Sequence, residues 1–307
     1  MRLRRALRSG GAGAGHVAAI GGFDGIHLGH RALIARMREL ARAQNLASMV
    51  ISFEPLPKEY FAPEHPPARL TNFRERWRLL EQHGPDVLCV LHFNDRLRAL
   101  SAAEFATLLS QGGVRHIVIG HDFRAGYRGA ASAEWFQNEG ARFGLATDVV
   151  APVLDHGLRV GSGAIRTALA ASDLASAARL LGRPYTMRGR VVAGDRLGRQ
   201  FGFPTANLRL ARRQAPLDGI FAVRVRGVGG GVASIGTRPT VGGVTPLLEV
   251  HVFDFAGDLY GRELEVEFVA RLRDTLRFAN VDAMIQQMQR DAAAARATLA
   301  GDPVRGS

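Results

Sequence analysis

Cysteine and lysine are almost missing from this sequence. A single cysteine, Cys89, stands in 307 residues, so no intrachain disulfide forms. The start shows no basic head followed by an apolar signal core, and together the two features lead to the expectation of a cytoplasmic protein. No apolar run is long enough to span a bilayer, so no membrane partner is expected. Lys58 is the only lysine among 40 Lys and Arg, set against 28 Asp and Glu for a formal charge of +12. Excess positive charge favours nucleic acid, anionic lipid or phosphorylated small molecules. Outside the head Arg2, Arg4, Arg5 and Arg8, the arginines are spread along the chain. They read as a compositional preference that leans toward phosphate-bearing ligands. A basic nucleic-acid-binding protein is the competing reading, and no aromatic-basic interleaving or helix-turn-helix pattern supports it. Disorder is excluded by 47% hydrophobic residues, an ordinary share for a folded chain.

What is present divides into two textures. From His16 to about Leu154, short apolar runs alternate with amphipathic helical stretches, which predicts a parallel sheet with crossover helices. The strands expected are 16–21, 47–53, 87–93, 116–120 and 146–153, all buried on both faces. Leu33, Ile34, Met37, Leu40 and Ala41 recur at helical spacing after Leu28. Ser101 and Glu104 form a capping box for a helix that Gly112 and Gly113 end. Helical stretches at 162–170 and 173–181 close this half, and Gly182-Arg183-Pro184 breaks the pattern, so the domains are expected at 1–182 and 183–307.

Beyond the break lie short alternating segments at 187–192, 220–225, 231–235, 248–253 and 264–269, the pattern of a small antiparallel β-barrel or sandwich. A terminal α-helix with Val281, Met284, Ile285 and Met288 on one face should cover a side or end of it. The tail after Gly301 is expected to be loose.

The first chemical motif is Gly21-Gly22-Phe23-Asp24-Gly25-Ile26-His27-Leu28-Gly29-His30, placed where the first strand ends and a helix begins. A helix start offers unpaired N–H groups and the positive end of the dipole to phosphate. Gly29 lets backbone and phosphate approach, and His27 and His30 donate to the same anion. Two histidines three apart also suit a metal or a solvated surface. Gly10, Gly11, Gly13 and Gly15 precede the strand, so they are a flexible lead-in rather than a dinucleotide fingerprint, which must follow it.

The second motif runs from Gly194 to Asn207 and ends in Gly202-Phe203-Pro204-Thr205-Ala206-Asn207. It offers a hydroxyl and an amide oxygen, hard ligands that Mg²⁺ and ATP phosphates accept. Farther on, Glu249 and His251 share one face of an alternating strand, a pattern equally consistent with two solvated polar residues.

These stretches, in this order, resemble the prokaryotic bifunctional riboflavin kinase/FMN adenylyltransferase family, from before Gly21 to about Asp291. The resemblance implies a nucleotidyltransferase-like, Rossmann-like α/β domain followed by a riboflavin kinase barrel. It implies that ATP phosphorylates riboflavin to FMN in the barrel, and that ATP then adenylylates FMN to FAD, with Mg²⁺ at both sites. In the first domain His27 and His30 are then catalytic, while Gly21, Phe23, Asp24, Gly29, Ser162 and Arg166 face ATP. Pro55, Pro57, Phe61, Asp122 and Phe123 face the flavin. In the second, Glu249 is the general base, Gly198, Thr205 and Asn207 face ATP, and Thr205 and Asn207 hold the metal.

The chain departs from the family at Gly22, where Asn is usual, and at Gly161 and Gly163, where hydroxyl residues are usual. Ala125 begins a segment where Phe-Gly and a longer basic loop are common, with Tyr127 and Arg128 as possible substitutes. Ser234 replaces a common Asn. A lost donor to phosphate costs roughly 1 to 3 kcal/mol, so a riboflavin kinase with an impaired first domain stays open as an alternative. Cys89 lies within an apolar strand, where packing is its expected role.

Overall fold

A computed structural model describes residues 1–7, 15–194, 198, 201–240 and 243–301. The lead-in glycines at 10–13, the tail after Gly301 and much of the loop at 195–200 lie outside these residues. By their contacts the residues form two compact units, Met1–Pro67 with Arg76–Gly161, and Ala68–Glu75 with Ser162–Ser307. The helical pair at 162–181 is thus grouped with the later part of the chain.

The first unit is built on β1 (Arg2–Arg4), β2 (His16–Ile20), β3 (Ala47–Glu54), β4 (Val87–His92), β5 (Val114–Gly120) and β8 (Ala146–Val150). They form a six-stranded sheet in the order β1-β4-β3-β2-β5-β8, and every pairing is parallel. Central β2 is buried along its whole length, as a strand covered on both faces must be. The 146–153 stretch departs from that expectation. Its strand stops at Val150 and is half exposed, because β8 is an edge strand with a partner on one side only. Within the arginine head, Arg2–Arg4 forms a strand that pairs with β4.

Helix α1 (Leu28–Ala43) buries Ile34, Met37 and Ala41 against the sheet. The short α2 (Pro57–Phe61), α3 (Phe73–Gln82), α4 (Asp95–Arg98), α5 (Ala102–Gln111) and α6 (Ala133–Glu139) follow in order, with small two-stranded ribbons of β6 (Arg124–Ala125) and β7 (Ala131–Ser132), and of β9 (Leu154–Asp155) and β10 (Leu158–Arg159). The expected capping box opens α5: Glu104 N–H donates to Ser101 Oγ at 3.2 Å and Ser101 N–H to Glu104 at 2.7 Å.

In the second unit, α7 (Ser162–Ala170) and α8 (Leu174–Leu181) precede a closed barrel, β11-β12-β15-β14-β13-β16. Its strands are β11 (Thr186–Val192), β12 (Ala206–Arg209), β13 (Gly219–Val225), β14 (Gly229–Thr240), β15 (Gly243–Val252) and β16 (Glu263–Arg273), all antiparallel. The sequence shows five of these six. The missing one, β12, is only four residues long and sits at the end of the Gly-Phe-Pro-Thr motif, where turn formers mask it. The closing helix α9 (Val281–Gly301) packs on β13, β14 and β16, but its predicted apolar face is not fully covered. Val281 is 49% exposed and the helix buries Asp291 and Ala295.

Candidate active sites

From β2 the chain runs to β3 and β4 on one side and later to β5 and β8 on the other, so the carboxyl end of β2 is where the winding reverses. The turn there is tightly held. Phe23, Gly25 and Ile26 have φ of 51°, 88° and 44°, and both Phe23 and Ile26 are fully buried. Left-handed backbone at non-glycine residues persists only where the surroundings enforce it.

His27 caps α1, its Nδ1 accepting the His30 backbone N–H at 3.3 Å. That bond places the proton of neutral His27 on Nε2. The two imidazoles stack with centroids 3.6 Å apart, and Phe23 tilts against His30 at 5.0 Å. A Cβ on Gly29 would lie 3.2 Å from the His27 ring, so glycine is what lets that ring lie across the first turn. Withdrawal of His30 from water holds its pKa well below the usual histidine value, and the charges of His27 and Arg76 add to this. His30 as a residue is half-buried, but its Nδ1 is enclosed and finds no hydrogen-bond partner among the described residues. An imidazolium carries N–H on both nitrogens and would strand one of them there.

Arg76 is absent from the sequence-based site. It is 1% exposed and donates from Nη1 to the Gly22 carbonyl at 3.1 Å and from Nη2 to Glu54 at 2.7 Å. Ser52 Oγ donates to the same carbonyl at 3.1 Å. On α3 it is one arginine among several, and no spacing distinguishes it.

The departures from the family leave room rather than crowding. A Cβ on Gly22 would meet only Leu56, at 3.6 Å, and Cβ atoms on Gly161 and Gly163 would meet nothing within 4 Å. Asp24 is buried, Gly21 leads the turn, and Tyr127 and Arg128 are both exposed.

In the segment that the resemblance assigns to the flavin, Pro55 and Pro57 are half-buried. Phe61 is 61% exposed yet stands edge-on to Tyr60 at 5.4 Å and Phe93 at 5.7 Å. Asp122 and Phe123 follow β5. Burial pushes the Asp122 carboxyl up, but Arg159, paired with it at 2.6 Å, prevails and holds it below the usual carboxylate range. Phe123 leans on core Phe136 at 6.1 Å. Ser162 and Arg166, grouped with the second unit, lie at the start of α7, and Arg166 Nε donates to the Ala68 carbonyl at 2.6 Å.

In the barrel, Asn207 of β12 and Ser234 of β14 stand opposite Glu249 of β15. Leu248 and Val250 are buried, so Glu249 and His251 turn to the other face together. They border a cavity of 380 Å³ with Phe203 and, from α9, Met284 and Met288 among its walls. His251 Nδ1 and the Pro204 carbonyl are 2.9 Å apart, a bond that pins the loop.

A second cavity of 320 Å³ is lined by Gly194, Thr205, Asn207, Asp258 and Tyr260. Thr205 borders both cavities, and Gly198 borders the first. A Cβ on Gly194 would lie 2.3 Å from the Asn207 side-chain amide, and one on Gly198 would lie 2.3 Å from the Phe203 backbone carbonyl, which cannot swing aside. Among the described residues no three His, Cys, Asp or Glu converge as a metal site. The donors are instead a hydroxyl and an amide oxygen, which suit a hard cation that takes few protein ligands.

No helix among the described residues is long and apolar enough to cross a membrane. Residues 12–164 match the family model of FAD synthetase and residues 181–299 that of riboflavin kinase. A bifunctional riboflavin kinase/FMN adenylyltransferase of Pseudomonas fluorescens is 47% identical over 292 residues, covering 93% of this chain and 94% of that protein. The protein so named from Escherichia coli K12 is 43% identical over 288 residues, covering 92% of each. A solved structure described as a macrolide-efflux protein from Streptococcus pneumoniae has a TM-score of 0.81 and 33% identity, covering 96% of this chain and 98% of that one. With each of the two family models matching its own stretch and nearly full-length relatives on both sides of the alignment, the chain belongs to the bifunctional riboflavin kinase/FMN adenylyltransferase family.

Proposed function

We infer that the chain makes FAD from riboflavin in two ATP-dependent steps. Riboflavin and ATP give FMN and ADP in the barrel, and FMN and ATP give FAD and pyrophosphate in the α/β domain. The observation that carries this is that the two family matches fall on different stretches, each with its own phosphate-directed groups. The assignment of 1–182 to adenylyl transfer and 183–307 to phosphorylation belongs to the same reading.

In the barrel, Glu249 takes the proton from the ribityl 5′-hydroxyl as that oxygen attacks the γ-phosphorus of ATP. The cavity walled by Phe203, Met284 and Met288 suits an isoalloxazine ring, and the one bearing Gly194, Thr205 and Asn207 suits the nucleotide. Thr205 and Asn207 would hold Mg²⁺, which neutralises phosphate charge when bound.

In the α/β domain, a phosphate oxygen of FMN attacks the α-phosphorus of ATP and pyrophosphate leaves. An ionised phosphate has no proton to lose, so the protein's task is to stabilise charge. The N–H groups opening α1, the Nε2–H of His27 and a neutral His30 supply donors for it. Gly21, Phe23 and Asp24 shape the turn, and Gly29 admits the anion. Ser162 and Arg166 are assigned to the ATP phosphates, and Pro55, Pro57, Phe61, Asp122 and Phe123 to the flavin. The partners of this reading are riboflavin, FMN and ATP, with no nucleic acid or membrane, and its setting is the cytoplasm.

One observation favours a kinase-only reading: Gly22, Gly161 and Gly163 offer no side-chain donor. A product profile separates the two. Purified protein is incubated with ATP and Mg²⁺, once with riboflavin and once with FMN, and the flavins are resolved by chromatography. FAD in both incubations, with FMN as intermediate in the first, is expected. FMN without FAD retires the adenylyl transfer.

A further inference from the structure

Arg76 has no part in the chemistry just described, yet among the described residues it is the largest side chain that is fully buried. Burying a guanidinium is unfavourable unless its hydrogen bonds are made, and an apolar side chain of similar volume packs such a space at least as well. Its bonds are specific. One arm reaches Glu54 at the end of β3 and the other reaches the Gly22 carbonyl, where Ser52 also donates. Gly22 has no side chain to anchor itself, and the residues after it adopt the left-handed conformations of Phe23, Gly25 and Ile26. The turn therefore takes its position from outside, and it delivers His27 and His30.

We propose that Arg76 is a positioning residue of the adenylyl-transfer site, its planar fork bridging the ends of β2 and β3 so that the turn presents the stacked histidines to the nucleotide phosphates. The proposal rests on the reading of that site as an adenylyltransferase. The fork also sets a charge near His30. The titratable groups acting on His30 are His27 on its own element and Arg76 from α3, with Glu54 paired behind Arg76 and Asp24 on the turn. Arg76 thus favours the neutral ring, the form that the enclosed Nδ1 requires.

The test uses the full chain carrying Arg76→Met and Arg76→Lys. Met removes charge and fork together, whereas Lys keeps the charge and loses the planar, two-armed grip. FAD formation from FMN and ATP is followed across pH, FMN formation from riboflavin is the internal control, and the His30 ring is titrated by NMR. Arg76→Met is expected to lower kcat for FAD on the order of a hundredfold, the usual penalty for slight misplacement of reacting groups. KM for ATP should change less, and FMN formation should not change. The His30 titration and the acid limb of the FAD profile should both move to higher pH. Arg76→Lys should leave the titration near wild type while kcat stays depressed. Should Arg76→Met not fold, Glu54→Gln, which weakens the anchor of the fork, is expected to lower kcat for FAD in the same direction. A wild-type rate and profile in Arg76→Met, or a fallen rate with an unmoved His30 titration, overturns the proposal. If the wild type makes no FAD, the reading of the site fails first, and the NMR titration still decides whether Arg76 acts on His30.

Discussion

Glu249→Gln keeps the shape of the side chain and removes its basicity, so it separates position from proton transfer. FMN formation should fall about 10²- to 10⁴-fold, the range general base catalysis contributes, while FAD synthesis from supplied FMN continues. His30→Ala should do the reverse. Mixed in equal amounts with riboflavin and ATP, the two variants should restore FAD, because FMN released by one is substrate for the other; chromatography of the flavins reads all three. In the sequence His30 was marked by its place where a strand ends and a helix begins, and Glu249 only by the family resemblance, since an acid on an amphipathic strand is usually just wet. Its register opposite Asn207 and Ser234 beside a cavity is what separates it from Glu265 and Glu267, which alternate in the same manner. Cys89 was read as packing, and burial pushes its thiol up to about 11, which leaves it protonated and unreactive near neutral pH.

At the scale of elements, the start of α3 carries a local Asn72–Glu75 capping box, and beyond it contacts from residues distant in the chain that no local pattern announces. Both carboxylate oxygens of Glu75 accept from the one nitrogen Arg212 Nη2, at 2.7 and 2.6 Å, and they also accept the backbone N–H groups of Arg188 and Asn72. Arg212 Nη1 reaches the Arg69 carbonyl and the Tyr185 hydroxyl, both at 3.2 Å. Both partners are buried. Arg212→Ala strands the carboxylate out of water and should cost about 3 to 5 kcal/mol, seen as a lower urea midpoint with an unchanged slope. Replacing both residues by apolar ones of like volume should cost far less, since no charge is then left unpaired. The helices α1, α5 and α8 were readable because each declares itself through spacing and caps. The four-residue β12 and the two-residue ribbons are too short to carry a period, and only their partners define them.

For the whole molecule, acid is the informative variable. Burial lowers the pKa of His16, His30 and His116 below the ordinary 6.5, and for each it is the largest cause. The folded chain therefore binds these protons less readily than the unfolded one. Stability from this source is complete above about 6.5, falls as pH drops through that value, and stops falling below the folded values. The thermal midpoint should decline over mildly acid pH, and replacing His16 with a neutral isostere such as Gln should flatten the decline.

By itself the sequence determined the two textures, the parallel sheet, the antiparallel strands and the two motifs, because periodicity, caps and glycine turns act over a few residues and leave their mark locally. Tertiary structure alone decided that the barrel closes, that α9 leaves its methionines facing a cavity, and that Arg76 and Arg212 are buried ions rather than two of many surface arginines. The physical reason is that burial and charge pairing depend on residues brought together from distant parts of the chain, where an arginine's neighbours in sequence say nothing about its neighbours in space.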